Sequence, residues 1–131
     1  MTIAKLLIVD DEKRMCSILK AALEQPDRLI TTADSGEAAV AALGVETFDI
    51  VLSDIKMPGI SGLQLLEKVK ARNPETEVLL MTAFADTQTA VDAMKKGAYD
   101  YLIKPFEMDE LRLKITRSEE RRVGKECRSR W

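Results

Sequence analysis

The feature that most constrains the fold is an alternation, repeated five times, of a short apolar run with a segment whose apolar residues recur at helical spacing. Ala4 to Val9, broken only by Lys5, has the length and composition of a strand buried on both faces. Behind it Met15, Ile18, Leu19, Ala22 and Leu23 recur at i, i+3, i+4, i+7 and i+8, one face of a helix that Pro26 closes. Arg28 to Ala33 is a second short strand. Ser35 offers an N-cap to a helix carrying Ala38, Ala39, Ala42 and Leu43, with Gly44 at its stop. Asp49 to Ser53 is a third strand, and Leu63, Leu66 and Val69 mark the helix after it. Glu77 to Met81 is a fourth strand, followed by a helix with Ala90, Val91 and Met94 turned inward and Gly97 at its end. Tyr99 to Ile103 is the fifth strand, and Met108, Leu111 and Ile115 begin the fifth helix.

Buried strands in parallel pairing require crossover connections, which are right-handed almost without exception. Five such units predict an α/β fold of the doubly wound class: a parallel sheet with helices on both faces. In sheets of this kind ligands bind beyond the carboxyl ends of the strands. Those ends here carry Asp10 and Asp11, Asp54, Thr82, and Lys104. Converging carboxylates repel one another and need a cation. A hard divalent ion with oxygen ligands suits them, magnesium in particular, since it keeps waters that a phosphate can replace. Lys104 adds a second positive charge and Thr82 a hydroxyl donor.

Composition removes most other chemistries. The chain has 131 residues and contains no His, and its two cysteines, Cys16 and Cys127, have no metal-ligand spacing. Zinc, disulfide and His-based catalysis are therefore excluded. A net charge of −2 leaves no basic footprint for direct nucleic-acid binding. No apolar run approaches the roughly 20 residues that cross a bilayer, and the N-terminal stretch lacks the pattern of a signal peptide, so the cytoplasm is the expected compartment. What remains is a carboxylate nucleophile, Asp54, able to form an aspartyl phosphate once metal and Lys104 neutralise the transferred group.

Taken singly, these residues are ordinary. Adjacent acids after a strand commonly cap a helix, and a Lys before Pro is commonly a solvated loop residue. Together, the Asp10–Asp11 pair, SDIKMPGISG around Asp54, MTA at Met81 to Ala83, and YDYLIKPF from Tyr99 to Phe106 resemble the receiver domain of two-component response regulators. The resemblance spans residues 3 to about 116. Within the family, TAFADTQTAVDAMKKGAYDYLIKPFEMDEL is most similar to receivers of the nitrogen-regulation type, which precede an ATPase and a DNA-binding domain and act with an alternative sigma factor.

The resemblance implies more than periodicity does. It implies the flavodoxin-like strand order 2-1-3-4-5, with Asp54 as phosphoacceptor and a sensor histidine kinase as donor. Asp11 would bind magnesium directly, Asp10 largely through water, and Asp54 and the backbone carbonyl of Lys56 would complete the protein's share of the metal shell. Thr82 and Lys104, with the amide of Ala83, would bind phosphoryl oxygens, and Tyr101 would turn inward as Thr82 moves. The Lys104–Pro105 bond is expected to be cis. The fourth helix, fifth strand and fifth helix would report the switch, drive any homodimer and control an output domain. Lys56 and Phe84 occupy positions that in this family tune phosphoryl lifetime. Gly59 and Gly62 read as turn residues, because their spacing fits no phosphate-cradling loop. A magnesium-dependent phosphatase using Asp54 as nucleophile is the competing reading. Against it, the second acid such enzymes place two residues after the nucleophile is replaced by Lys56.

Arg117 to Trp131 stands apart. It holds six Lys and Arg against three Asp and Glu, leaving 14 against 19 in residues 1 to 116, a net of −5. It lacks apolar periodicity, holds the only Trp, and resembles the in-frame translation of a common sequencing adapter. A receiver domain over 1–116 followed by a non-native tail over 117–131 is the expectation, with the tail disordered or extending the last helix; a native basic tail is the alternative.

Overall fold

The structure, a computed structural model, describes residues 3–83 and 87–129; Phe84, and the side chains of residues 87 and 122–129, lie outside that description. Strands β1 (Ala4–Val9), β2 (Arg28–Ala33), β3 (Ile50–Asp54), β4 (Glu77–Ala83) and β5 (Asp100–Lys104) alternate with helices α1 (Lys13–Leu23), α2 (Gly36–Val45), α3 (Gly62–Arg72), α4 (Thr87–Lys95) and α5 (Met108–Ser129). The strands form one sheet in the order β2-β1-β3-β4-β5, every pair parallel. This is the flavodoxin-like arrangement expected.

Side chains alternate across the sheet and build a core on each face. Leu7, Val9, Val51, Val78 and Leu80 face α2, α3 and α4, packing against Ala39, Leu65, Leu66, Val69 and Ala93. Leu6, Ile8, Ile50, Leu52, Leu79, Met81 and Leu102 face α1 and α5, against Cys16, Leu19, Leu23, Leu111 and Ile115. Leu6 to Val9 are wholly buried, each contributing about 1.5–3 kcal/mol through removal from water.

Local signals account for the helix ends. The Ser35 hydroxyl accepts from the Ala38 amide at the start of α2. Ser61 and Gln64 form a reciprocal capping box at the start of α3. Gly97, with φ of +104°, stands just beyond α4. Gly44, by contrast, lies inside α2, which continues through Val45.

Two helix faces differ from their expected orientation. Ile18 is 43% exposed, and Cys16 takes the buried position beside Leu19 and Leu23. On α4, Val91 and Met94 are each 41% exposed, while Ala90 and Ala93 are fully buried. On this helix the small residues take the buried positions and the larger apolar ones stay exposed.

α5 continues as helix through the segment over 117–129, where Ser118 is buried and Glu119 pairs with Arg28. Among the described residues no helix is long and apolar enough to cross a membrane.

Candidate phosphoacceptor site

Sheet register brings the site together. Val9 lies beside Ser53, Asp54 beside Met81, and Ala83 beside Lys104, so the residues ending β1, β3, β4 and β5 share one edge. Asp54 follows Ile50 and Leu52, and Lys104 follows Leu102, at strand spacing, which aims both toward the α1 and α5 face. Thr82 continues the Val78 and Leu80 row on the opposite face, the face against which Tyr101 packs.

Lys104 Nζ donates to Asp54 Oδ2 at 2.9 Å and stands 3.8 Å from Asp10 Oδ2. Asp10 is buried; its Oδ1 accepts from the Glu12 amide at 2.9 Å, while Oδ2 has no hydrogen-bond donor. Asp54 Oδ1 accepts from the Lys56 amide at 3.3 Å. Oxygens of Asp10, Asp11 and Asp54 all lie within 4.8 Å of one another, with Asp11 exposed and Asp54 half-buried.

These contacts set the charges. Burial raises the Asp10 carboxyl above its usual value, aided by the neighbouring charges of Asp54 and Asp11 and opposed by the Glu12 amide and Lys104. Burial would lower the Lys104 ammonium, but its hydrogen bond to Asp54 and the charges of Asp54, Asp10 and Glu12 win, and its value is raised. The donor set fits a hard divalent ion: three carboxylates around one point, one of them buried with an oxygen that no hydrogen bond satisfies.

The remaining residues sit as follows. Thr82 is buried near the end of β4 instead of beyond it, its hydroxyl donating to the Ala83 carbonyl at 3.3 Å. Tyr101 is half-buried, opposite Leu80 and offset by two residues along β4 from Thr82. The Lys104–Pro105 peptide is cis, as expected.

Several contributors carry no motif. The Cys16 thiol donates to the carbonyls of Asp10 and Ala33 at 3.4 and 3.5 Å, anchoring the turn that carries the acids. Burial, followed by the charge of Asp10, raises this thiol, which keeps it a neutral donor. Helical spacing from Leu19 and Leu23 could have flagged it. Gly62 is not a turn residue: a Cβ there would stand 2.4 Å from the Asp54 carbonyl oxygen, so glycine lets α3 begin against the phosphoacceptor candidate. Gly59, with φ of +74°, is a turn residue as expected.

The model of the response regulator receiver domain family matches residues 6–116. The DNA-binding transcriptional regulator NtrC of Salmonella typhimurium is 45% identical over 103 residues, covering 79% of this chain and 22% of that protein. The transcriptional regulatory protein ZraR of the same organism is 43% identical over 106 residues, covering 81% and 24%. The chain thus spans about a quarter of these relatives' length. Among solved structures, a response regulator receiver domain protein from Clostridium thermocellum superposes with a TM-score of 0.86 at 32% identity, covering 92% of this chain and 98% of that one. NtrX from Brucella abortus gives a TM-score of 0.90 at 32% identity, covering 98% of this chain and 29% of that one. Sheet order and these matches agree, and the chain belongs to the response regulator receiver domain family, whose members are phosphoacceptor signalling domains and not enzymes in the ordinary sense.

Proposed function

We infer that Asp54 accepts a phosphoryl group from a phosphohistidine of a sensor histidine kinase. The carrying observation is Lys104 Nζ at 2.9 Å from Asp54 Oδ2, inside a cluster of three carboxylates. In the transfer an Asp54 carboxylate oxygen forms a bond to phosphorus as the histidine N–P bond breaks, and the imidazole nitrogen keeps the electron pair. Lys104 holds the carboxylate beforehand and neutralises charge on the transferred group afterwards. Mg2+, when bound, supplies further neutralisation of the phosphoryl oxygens; Asp10, Asp11, Asp54 and the Lys56 carbonyl are the residues that would hold it.

After transfer the Thr82 hydroxyl, now bonded along its own strand, and the Ala83 amide are the donors for phosphoryl oxygens. Movement of Thr82 frees space on the face it shares with Tyr101, and the inward turn of that ring reshapes α4, β5 and α5. Exposed Val91 and Met94 on α4 support this surface as the one that addresses a second copy or an output domain. By likeness to NtrC and ZraR that output is transcriptional, and its setting the cytoplasm. The receiver domain is assigned to 1–116, the point where the family match also ends, and 117–131 to a non-native tail. Beryllofluoride with Mg2+ tests the reading: it shifts the amide resonances of Asp54, Ala83 and Lys104 in wild type and none of them in Asp54→Ala. Equal shifts in both proteins would reject it.

A further inference from the structure

The loop that carries Lys56 joins β3 to α3, and both of its ends are fixed by contacts too close for any side chain. At its base, Gly62 donates its amide to the Ile55 carbonyl at 2.8 Å and leaves no room for a Cβ against the Asp54 carbonyl. At its tip, Ile60 packs on the first turn of α2, where a Cβ on Gly36 would stand 2.6 Å from both Cβ and the carbonyl oxygen of Ile60. The tip is also held by a hydrogen bond: Glu37 Oε1 accepts from the Ile60 amide at 3.4 Å. Its other oxygen would stand 2.4 Å from a Cβ on Gly59, whose φ of +74° already requires glycine. Between base and tip, the Lys56 amide is tied to Asp54 Oδ1 at 3.3 Å. The Glu37 side chain is otherwise exposed, on a helix that contributes no residue to the acidic cluster.

We propose that Glu37 is a positioning residue for the metal site: by holding the Gly59–Ile60 tip of the loop against α2, it sets the direction of the Lys56 carbonyl and hence the affinity for Mg2+. The inference rests on Lys56 supplying a metal ligand through its backbone. A carboxylate on Asp54, Asp10 or Asp11 gains its aim from its own strand, but a carbonyl in a loop gains its aim only from whatever fixes the loop. Partners that orient ligands in this way typically change metal affinity by roughly 10- to 100-fold when removed.

The test is a Mg2+ titration of the intact chain followed by amide resonances, on wild type, Glu37→Ala and Glu37→Gln. Glu37→Ala loses the acceptor and is expected to weaken Mg2+ binding roughly tenfold, the lower end of that range. In the metal-free protein it also speeds hydrogen exchange at the Ile60 amide. Glu37→Gln removes the charge but keeps an oxygen for Ile60, and is expected to bind Mg2+ nearly as wild type does. Equal affinities in wild type and Glu37→Ala overturn the proposal, as does Glu37→Gln weakening binding as much as Glu37→Ala, since that makes the effect one of charge. Failure of wild type to bind Mg2+ at all overturns the metal reading itself, and this inference with it.

Discussion

Lys104 Nζ bonds Asp54 Oδ2 at 2.9 Å across fifty residues of sequence. The contact exists because β3 and β5, each paired with β4, end at the same edge and aim these residues to the same face. Replacing Lys104 with Met removes the cation that offsets charge on the transferred group. Phosphorylation of Asp54 from acetyl phosphate is expected to slow roughly 100-fold, the size typical of losing one preorganised charge-stabilising group. Initial rates at saturating Mg2+ measure it.

That same pairing has an alkaline signature. The Lys104 ammonium is raised above its ordinary 10.5, so its contribution to stability is complete below that value and is lost as pH climbs through the raised folded value. Lys104→Met is therefore expected to flatten the decline in unfolding midpoint above about pH 10.5.

Asp10 is shifted in the same direction. Its carboxyl is raised above 3.8, chiefly by burial. A raised acid favours folding when protonated, below the unfolded value, and that advantage is lost as pH rises through the folded value. In the metal-free protein burial disfavours the Asp10 carboxylate, and its Oδ2 accepts no hydrogen bond. Asp10→Asn is expected to stabilise the metal-free protein by on the order of 1 kcal/mol, an advantage that disappears when Mg2+ is added, because only wild type gains from binding. Thermal unfolding with and without Mg2+ decides it.

Gly62→Ala places a methyl group 2.4 Å from the Asp54 carbonyl oxygen and 2.7 Å from the Ile55 Cα. Neither is a flexible side-chain end, so the backbone must move. A loss of about 1–3 kcal/mol in denaturant unfolding is expected, the usual size for forcing extra volume into a packed region. Phosphorylation falls with it, because the displaced backbone carries Asp54.

Far from the site, the Arg28 side chain is 2% exposed and forks onto Glu119 at 2.6 and 2.9 Å, while Nη1 reaches the Leu23 carbonyl. Glu119→Ala leaves a buried guanidinium short of its carboxylate and is expected to cost about 2–3 kcal/mol, somewhat below the loss seen for fully buried pairs because Glu119 is partly exposed. Denaturant midpoints of Glu119→Ala and Glu119→Gln report it.

Much of this architecture was legible along the chain because period-2 and period-3.6 patterns are local. β1 begins and ends where its apolar run does, and Ser35 caps α2 through a contact three residues long. Asp10, Asp11, Asp54 and Lys104 were legible because each stands at or just beyond a strand's end, and a parallel sheet gathers strand ends. Apolar character does not by itself fix burial on a helix: on α4 Ala90 and Ala93 take the buried positions while Val91 and Met94 are exposed, and on α1 Cys16 is buried where Ile18 is not. Thr82 was placed after its strand because a polar residue ends an apolar run, yet its backbone continues the ladder opposite Ile103. Arg28 with Glu119, Gly62 under Asp54 and Glu37 against Ile60 depend on elements meeting in space, and no local pattern announces them.

The central claim is that Asp54 carries the phosphoryl group. Incubating the intact chain with Mg2+ and acetyl phosphate, then measuring its mass, tests that most directly. The account predicts a single phosphoryl adduct on wild type, lost on adding a chelator during the reaction and absent in Asp54→Ala. An adduct that persists in Asp54→Ala, or none on wild type, would contradict it.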